Sequence, residues 1–130
     1  LIRTGVDIVE VERIGRAITR YGERFLDRIY TQQEQIDARG HVPSLAGRFA
    51  AKEAVSKALG TGIGRISWKD VEILHDDQQQ PILRLHGQAE SLASSRSLAQ
   101  WSISISHTDT LAIAVAMAHG GCGEDGGAKG

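Results

Sequence analysis

Residues 49–56 read Phe49-Ala50-Ala51-Lys52-Glu53-Ala54-Val55-Ser56, followed by Lys57, Ala58, Leu59 and the glycine-rich run Gly60-Thr61-Gly62-Ile63-Gly64. The alanine-rich spacing predicts a long helix, and its wheel at about 100° per residue organises the rest of the chain. Ala51, Val55 and Ala58 cluster on one side, with Ala54 and Leu59 at the margins, as a stripe that packs on a core. Phe49, Glu53, Ser56 and Lys57 gather on the other, with Glu53 and Lys57 only about 40° apart. The helix is expected to bury one face and to hold a carboxylate, a hydroxyl and an ammonium on the open one. By itself an exposed Glu–Lys pair at i,i+4 stabilises a helix by only a few tenths of a kcal/mol. Its weight here comes from a second acid, Asp7.

Asp7 lies inside an alternating, β-branched stretch, residues 2–9, that reads as a first strand. Ile2, Val6 and Ile8 share one face of it; Arg3, Gly5, Asp7 and Val9 share the other. A carboxylate in that setting is costly unless paired, hydrogen-bonded or metal-bound. Two readings stand: a salt bridge to Arg3 on the same face, or a ligand. Two lone acids from separate elements are a usual supply for Mg²⁺, which completes its shell with water and phosphate oxygens. No histidine cluster has zinc spacing.

Around these elements the pattern is that of an α+β domain, an antiparallel sheet packed on one long helix plus short helices. Helical spacing runs over 11–21, and a short helix follows Gly22 over 23–30. Thr31 with Glu34 makes a capping box for a third helix ending near Gly40. Ser44 is the expected N-cap of the long helix and Gly60 its stop. Residues 68–74 and 82–86 read as two strands, 87–96 as a small helix, and 101–107 and 110–117 as a final strand pair. In the last strand Ala112, Ala114 and Ala116 face one way, a smooth surface for close helix packing. Ile105 and His107 share a face with Trp101 and Ile103, so a satisfied core histidine is the plain reading of His107. Ser106, His107 and Asp109 are too close in sequence to form a relay triad.

The 130 residues carry a formal charge of −1 and one cysteine, Cys122. That balance gives no pull toward nucleic acid or membrane, and excludes a disulfide framework. No stretch approaches the roughly 20 apolar residues of a membrane span. Residues 1–118 form one domain, and 119–130, half glycine, read as a disordered tail. The glycine run is not a phosphate loop: it follows a helix, so the dipole end there disfavours anions. Arg13, Arg16, Arg20 and Arg24 recur at three, four and four residues. A solvated face is the default for such a row, but in a neutral chain it suits docking to an acidic helical surface.

Three motifs together resemble the holo-acyl-carrier-protein synthases, the small trimeric class of 4′-phosphopantetheinyl transferases. They are Gly5-Val6-Asp7-Ile8-Val9 with Glu12-Arg13-Ile14, then residues 47–62 from Gly47-Arg48-Phe49 to Gly60-Thr61-Gly62, and Ile103-Ser104-Ile105-Ser106-His107-Thr108. The resemblance implies a cytoplasmic homotrimer of fatty-acid biosynthesis with an active site at each subunit interface. It implies Mg²⁺ on Asp7 and Glu53, and catalysis by Asp7, Glu53, Lys57 and His107. Coenzyme A, as substrate, would lie near Arg48, Phe49, Ser56, Lys57, Gly60, His107 and Thr108. Acyl carrier protein would meet Arg13, Arg20 and Arg24 with Phe25. The serine's proton acceptor would be Glu53 or a water on the metal. Residues 37–44 lack the lysines common there in relatives, leaving Arg39 and His41 as possible phosphate contacts. A non-catalytic carrier-docking trimer and a Mg²⁺-dependent coenzyme A pyrophosphohydrolase are the alternatives. Both acids and Lys57 are superfluous to the first, and the second would need no carrier.

Overall fold

The computed structural model describes residues 1–120. Strand β1 (Ile2–Glu10) leads into helices α1 (Val11–Tyr21), α2 (Glu23–Ile29) and α3 (Gln32–Ala38), then the long α4 (Val42–Leu59). The hairpin β2 (Val71–His75) and β3 (Pro81–Leu85), the helix α5 (Gly87–Ser95) and the strands β4 (Gln100–His107) and β5 (Leu111–His119) complete it. β5 is the middle of an antiparallel sheet in the order β1-β5-β4, and β2–β3 form a separate ribbon. No helix among the described residues is long and apolar enough to cross a membrane.

The alanine face does what its smoothness suggested. Ala112, Ala114, Ala116 and Ala118 are all 1% exposed or less, and α4 lies against them. Register places Gly5 opposite Ala116 and Asp7 opposite Ala114, with Ile103 and Ile105 opposite the same two alanines on the far side. At Gly5 the approach is closest. A Cβ there would sit 1.9 Å from the Ala54 carbonyl oxygen. At Gly47 the neighbour is instead the end of the Ile105 side chain, 2.9 Å from an added Cβ.

The other face of the sheet is open and apolar. Ile2, Val6 and Ile8 on β1, and Leu111, Ile113, Val115 and Met117 on β5, remain 39–64% exposed. Ser102, Ser104 and Ser106 line the same face on β4, opposite Met117, Val115 and Ile113.

Several boundaries differ from the sequence expectation. The Thr31–Glu34 capping box is present as read. Ser44 is not the N-cap of α4: His41 is, because Pro43 already sits in the first turn, where its missing N–H costs nothing. Ser44 Oγ instead accepts a hydrogen bond from Arg48 Nη1. Residues 68–70 form a 3₁₀ turn, closed by Ser67 and Asp70, so the strand begins at Val71. β5 runs through His119, two residues past the strand end expected at 117 and one into the stretch read as tail. Cys122 and the remainder of the glycine-rich tail lie outside the described residues.

The largest correction concerns α4. It is not half open: Arg48, Phe49, Lys52 and Ser56 are as buried as its alanines, and only Glu53 and Lys57 in its centre and last turn retain access to solvent. The sheet takes one side and the β2 ribbon with Trp68 takes another. Lys52 is enclosed with Glu34, Nζ to Oε1 2.8 Å, and also donates to the Trp68 and Val71 carbonyls. Glu34 accepts from the Thr31 and Ile73 backbone N–H groups as well. All three ammonium protons are therefore used, which makes this buried pair tolerable.

Packing at Gly5 yields a graded prediction. Gly5→Ala drives a side chain into helix backbone that cannot move aside, and should lower unfolding stability by about 3 kcal/mol or more. Gly47→Ala meets only a flexible side-chain end and gains helix propensity worth about 0.8–1 kcal/mol, so its net effect should be small. Urea denaturation of the two variants side by side measures both.

Candidate active site

The register that brings Gly5 against α4 also brings Asp7 to Lys57. Lys57 Nζ donates to Asp7 Oδ1 at 3.1 Å and to the Val6 carbonyl at 2.9 Å, across fifty positions of sequence. Asp7's partner is thus Lys57 rather than Arg3. Arg3 is drawn away to the end of α4, where its Nε donates to the Ala58 carbonyl while Arg96 Nη1 takes the Leu59 carbonyl. Two guanidinium groups at a helix C-terminus are well placed for its dipole.

Glu53, one helical turn before Lys57, faces the same spot. Its pKa is raised, first by burial and then by the Asp7 charge, with Lys57 and Arg13 pulling the other way. Asp7, Glu53 and Lys57 therefore form one electrostatic unit: the Asp7 charge disfavours ionisation of Glu53, and the Lys57 ammonium, bonded to Asp7, favours it.

The remaining sequence-derived residues divide. Ser56 does not belong to an open face: it is 1% exposed and its hydroxyl donates to the Glu53 carbonyl. Phe49 is 7% exposed and stacks on Trp68 at 4.7 Å between centroids, with planes 29° apart. The Arg13 guanidinium lies over the same Phe49 ring, 5.6 Å from its centroid. Arg13 is near enough to Glu53 to favour its ionisation, and the four arginines differ in their contacts. Arg16 pairs with Glu12 on the exposed face of α1, and Arg20 lies over Tyr21. Gly22, at φ +60°, breaks the helix and carries Arg24 onto α2. Phe25 packs edge-on against Tyr30.

Arg48 is spent internally. Its Nε donates to the Ile73 carbonyl and its Nη2 meets His75 Nδ1 at 2.9 Å. Burial and then the Arg48 charge lower the His75 pKa, so a neutral ring accepts that bond. These residues line a polar cavity of about 480 Å³ with Asp37, Arg39 and Asp76. Arg39, in a left-handed conformation at φ +52°, ends α3 at its rim. His41 begins α4 and is exposed.

His107 is exposed at the end of β4, not a core histidine, and Thr108 begins the turn beyond it. His107 pairs with Ala112, which faces Val9. On its own chain it therefore lies two strands from β1, about 10 Å across the sheet, and a step along from Asp7. The structure brings Asp7, Glu53, Lys57 and Arg13 together and leaves His107 and Thr108 apart from them. What sequence reading missed is the packing around α4: Trp68 behind Phe49, and Lys52 with Glu34. Lys52 lies about 20° from Leu59 on the wheel, at the edge of the core stripe, which is a weak signal; Glu34 reads as a capping residue, which it also is.

The chain belongs to the 4′-phosphopantetheinyl transferase superfamily, whose family model matches residues 3–116. It is 41% identical over 127 residues to the holo-[acyl-carrier-protein] synthase of Herpetosiphon aurantiacus, covering 92% of this chain and all of that one. With the enzyme of the same name from Alkaliphilus metalliredigens it shares 47% over 117 residues, 88% of this chain and 95% of the other. The crystal structure of Helicobacter pylori holo-[acyl-carrier-protein] synthase in complex with coenzyme A superposes with a TM-score of 0.83 at 34% identity. That match covers 89% of this chain and 99% of the other.

The raised Glu53 pKa gives a signed pH prediction. A carboxyl whose folded pKa is raised contributes stability fully present below its unfolded pKa and lost as pH rises through the folded one. Glu53→Gln should therefore stabilise the metal-free protein at pH 7, with the advantage fading toward pH 4. Thermal melts in chelator across that range measure it.

Proposed function

We propose that the protein transfers 4′-phosphopantetheine from coenzyme A to a serine of apo acyl carrier protein, releasing adenosine 3′,5′-bisphosphate. The observation that carries this reading is the Asp7–Lys57–Glu53 unit, assembled from β1 and α4 in the fold of that family. In the reaction the serine oxygen forms a bond to the phosphorus that bears pantetheine. The bond from that phosphorus to the bisphosphate oxygen breaks, and the serine proton passes to an acceptor in the site.

The two acids suit Mg²⁺. They come from separate elements, face the same space, and leave positions for water and phosphate oxygens, the usual composition of a magnesium shell. Bound by Asp7 and Glu53, the ion would neutralise pyrophosphate charge and polarise the attacked phosphorus. Lys57, half exposed on a flexible stem in the last turn of α4, reaches for the charge developing on the leaving bisphosphate. Arg13, held over Phe49, sets the positive potential beside Glu53. Arg39, at the rim of the polar cavity that Arg48 lines, suits a phosphate at a greater distance from the acid pair, with the internally bonded Arg48 adding positive charge behind it.

A homotrimer is part of the proposal. The apolar outer face of β1 and β5 is a large continuous patch of the kind that marks an interface. His107 and Thr108, too far from the acid pair of their own chain, would serve the site of a neighbour. Arg20 and Arg24, with Phe25, would receive the acidic helix of the carrier protein. We place the enzyme in the cytoplasm, in fatty-acid biosynthesis.

Intact-mass analysis of apo carrier protein with coenzyme A and Mg²⁺ tests the reaction: the carrier should gain one phosphopantetheine. Asp7→Ala and Glu53→Ala should each cut transfer by about a hundredfold or more, and near-normal turnover would sink the metal assignment. Arg24→Glu should raise the KM for carrier about tenfold, the effect of about 1.4 kcal/mol, with little change for coenzyme A. Val115→Glu should yield a smaller species by light scattering that has lost transfer. A full-rate monomer would rule out shared sites.

A further inference from the structure

Resting on the reading of Asp7 and Glu53 as cation ligands, we infer that Lys57 is the resident counter-ion of that pair. Its ammonium occupies the carboxylate before a divalent ion arrives and is released when the ion binds. Lys57 therefore opposes metal binding while it promotes phosphate binding.

The geometry is one-sided. The Asp7 side chain is 17% exposed and set by the strand, whereas that of Lys57 is 50% exposed and held only through Nζ, by Asp7 Oδ1 and the Val6 carbonyl. Release needs no backbone movement, only rotation of a four-carbon stem into solvent. Three charged groups face this point from the packed elements: Asp7 from β1, Glu53 from α4 and Arg13 from α1. Two carboxylates in such a place are mutually unfavourable without a cation, and Lys57 supplies one to the metal-free protein. A divalent ion on the same Asp7 oxygen would lie within a few ångströms of Nζ. Two cations at that separation repel each other, so one excludes the other. Lys57 is accordingly freed for a phosphate only after the acid pair has been neutralised by the ion.

Direct binding to the full chain tests this without turnover, using Mn²⁺ alone followed by its electron paramagnetic resonance signal. Lys57→Met, which keeps the apolar stem, should bind Mn²⁺ about two- to fivefold more tightly than wild type, the upper part of the range for a partly exposed ion pair. Lys57→Gln should follow it. Equal or weaker binding by both variants overturns the inference. Asp7→Asn should lose Mn²⁺; wild-type affinity in that variant would overturn the metal assignment itself, and the inference with it. The second measurement is acylation of lysine amines read by peptide mass. Saturating Mg²⁺ should raise labelling of Lys57 several-fold relative to the exposed Lys69, and an unchanged ratio overturns the release step.

Discussion

The structure depends on how closely one helix can lie on one strand. Gly5 admits the Ala54 carbonyl to a distance that any side chain would forbid, and the alanines of β5 keep the rest of the contact equally thin. Side chains of ordinary size there would hold α4 further from the sheet. At that greater distance Lys57 would lose Asp7 and the Val6 carbonyl, and Glu53 would no longer feel the Asp7 charge. The smallest residues in the chain thus make possible its most charged contact.

Fixing α4 on its far side falls to a different kind of interaction. Lys52 and Glu34 are fully enclosed, and every ammonium proton has an acceptor, two of them backbone carbonyls of the segment entering β2. Replacing such a pair by apolar residues need not cost stability, but breaking half of it does, because the remaining charge has no solvent to turn to. Thr31 and Glu72 extend the same bonds outward to His86. The helix that presents Glu53 and Lys57 is in this way clamped between a thin alanine contact and a saturated ionic one. Glu53 and Lys57 thus sit on a helix packed from both sides, which favours precise placement of charge.

The open face of the sheet belongs to the same design. Its inner side is filled by α4, and the apolar residues of the outer side stay 39–64% exposed among the described residues. Covering those seven partly exposed apolar residues would bury further apolar surface. The separation of His107 from the acid pair follows from strand order: β5 stands between β1 and β4.

From the sequence alone came the element order, the capping box, the alanine surface, and the prominence of Asp7, Glu53 and Lys57, since these depend on local periodicity and on acids lying in costly surroundings. The family, too, was legible, because three motifs occur in order at suitable spacing. Only the tertiary structure decided which side of α4 is open. A helical wheel sorts residues by angle, but α4 is enclosed from several directions, so Phe49, Ser56, Arg48 and Lys52 are buried for reasons that lie in Trp68, Ile73, His75 and Glu34. Nor could periodicity choose between Arg3 and Lys57 as the partner of Asp7. The nearer residue in sequence lost because the end of α4 offers Arg3 unpaired carbonyls, while the register of β1 on the helix sets Lys57 beside the acid.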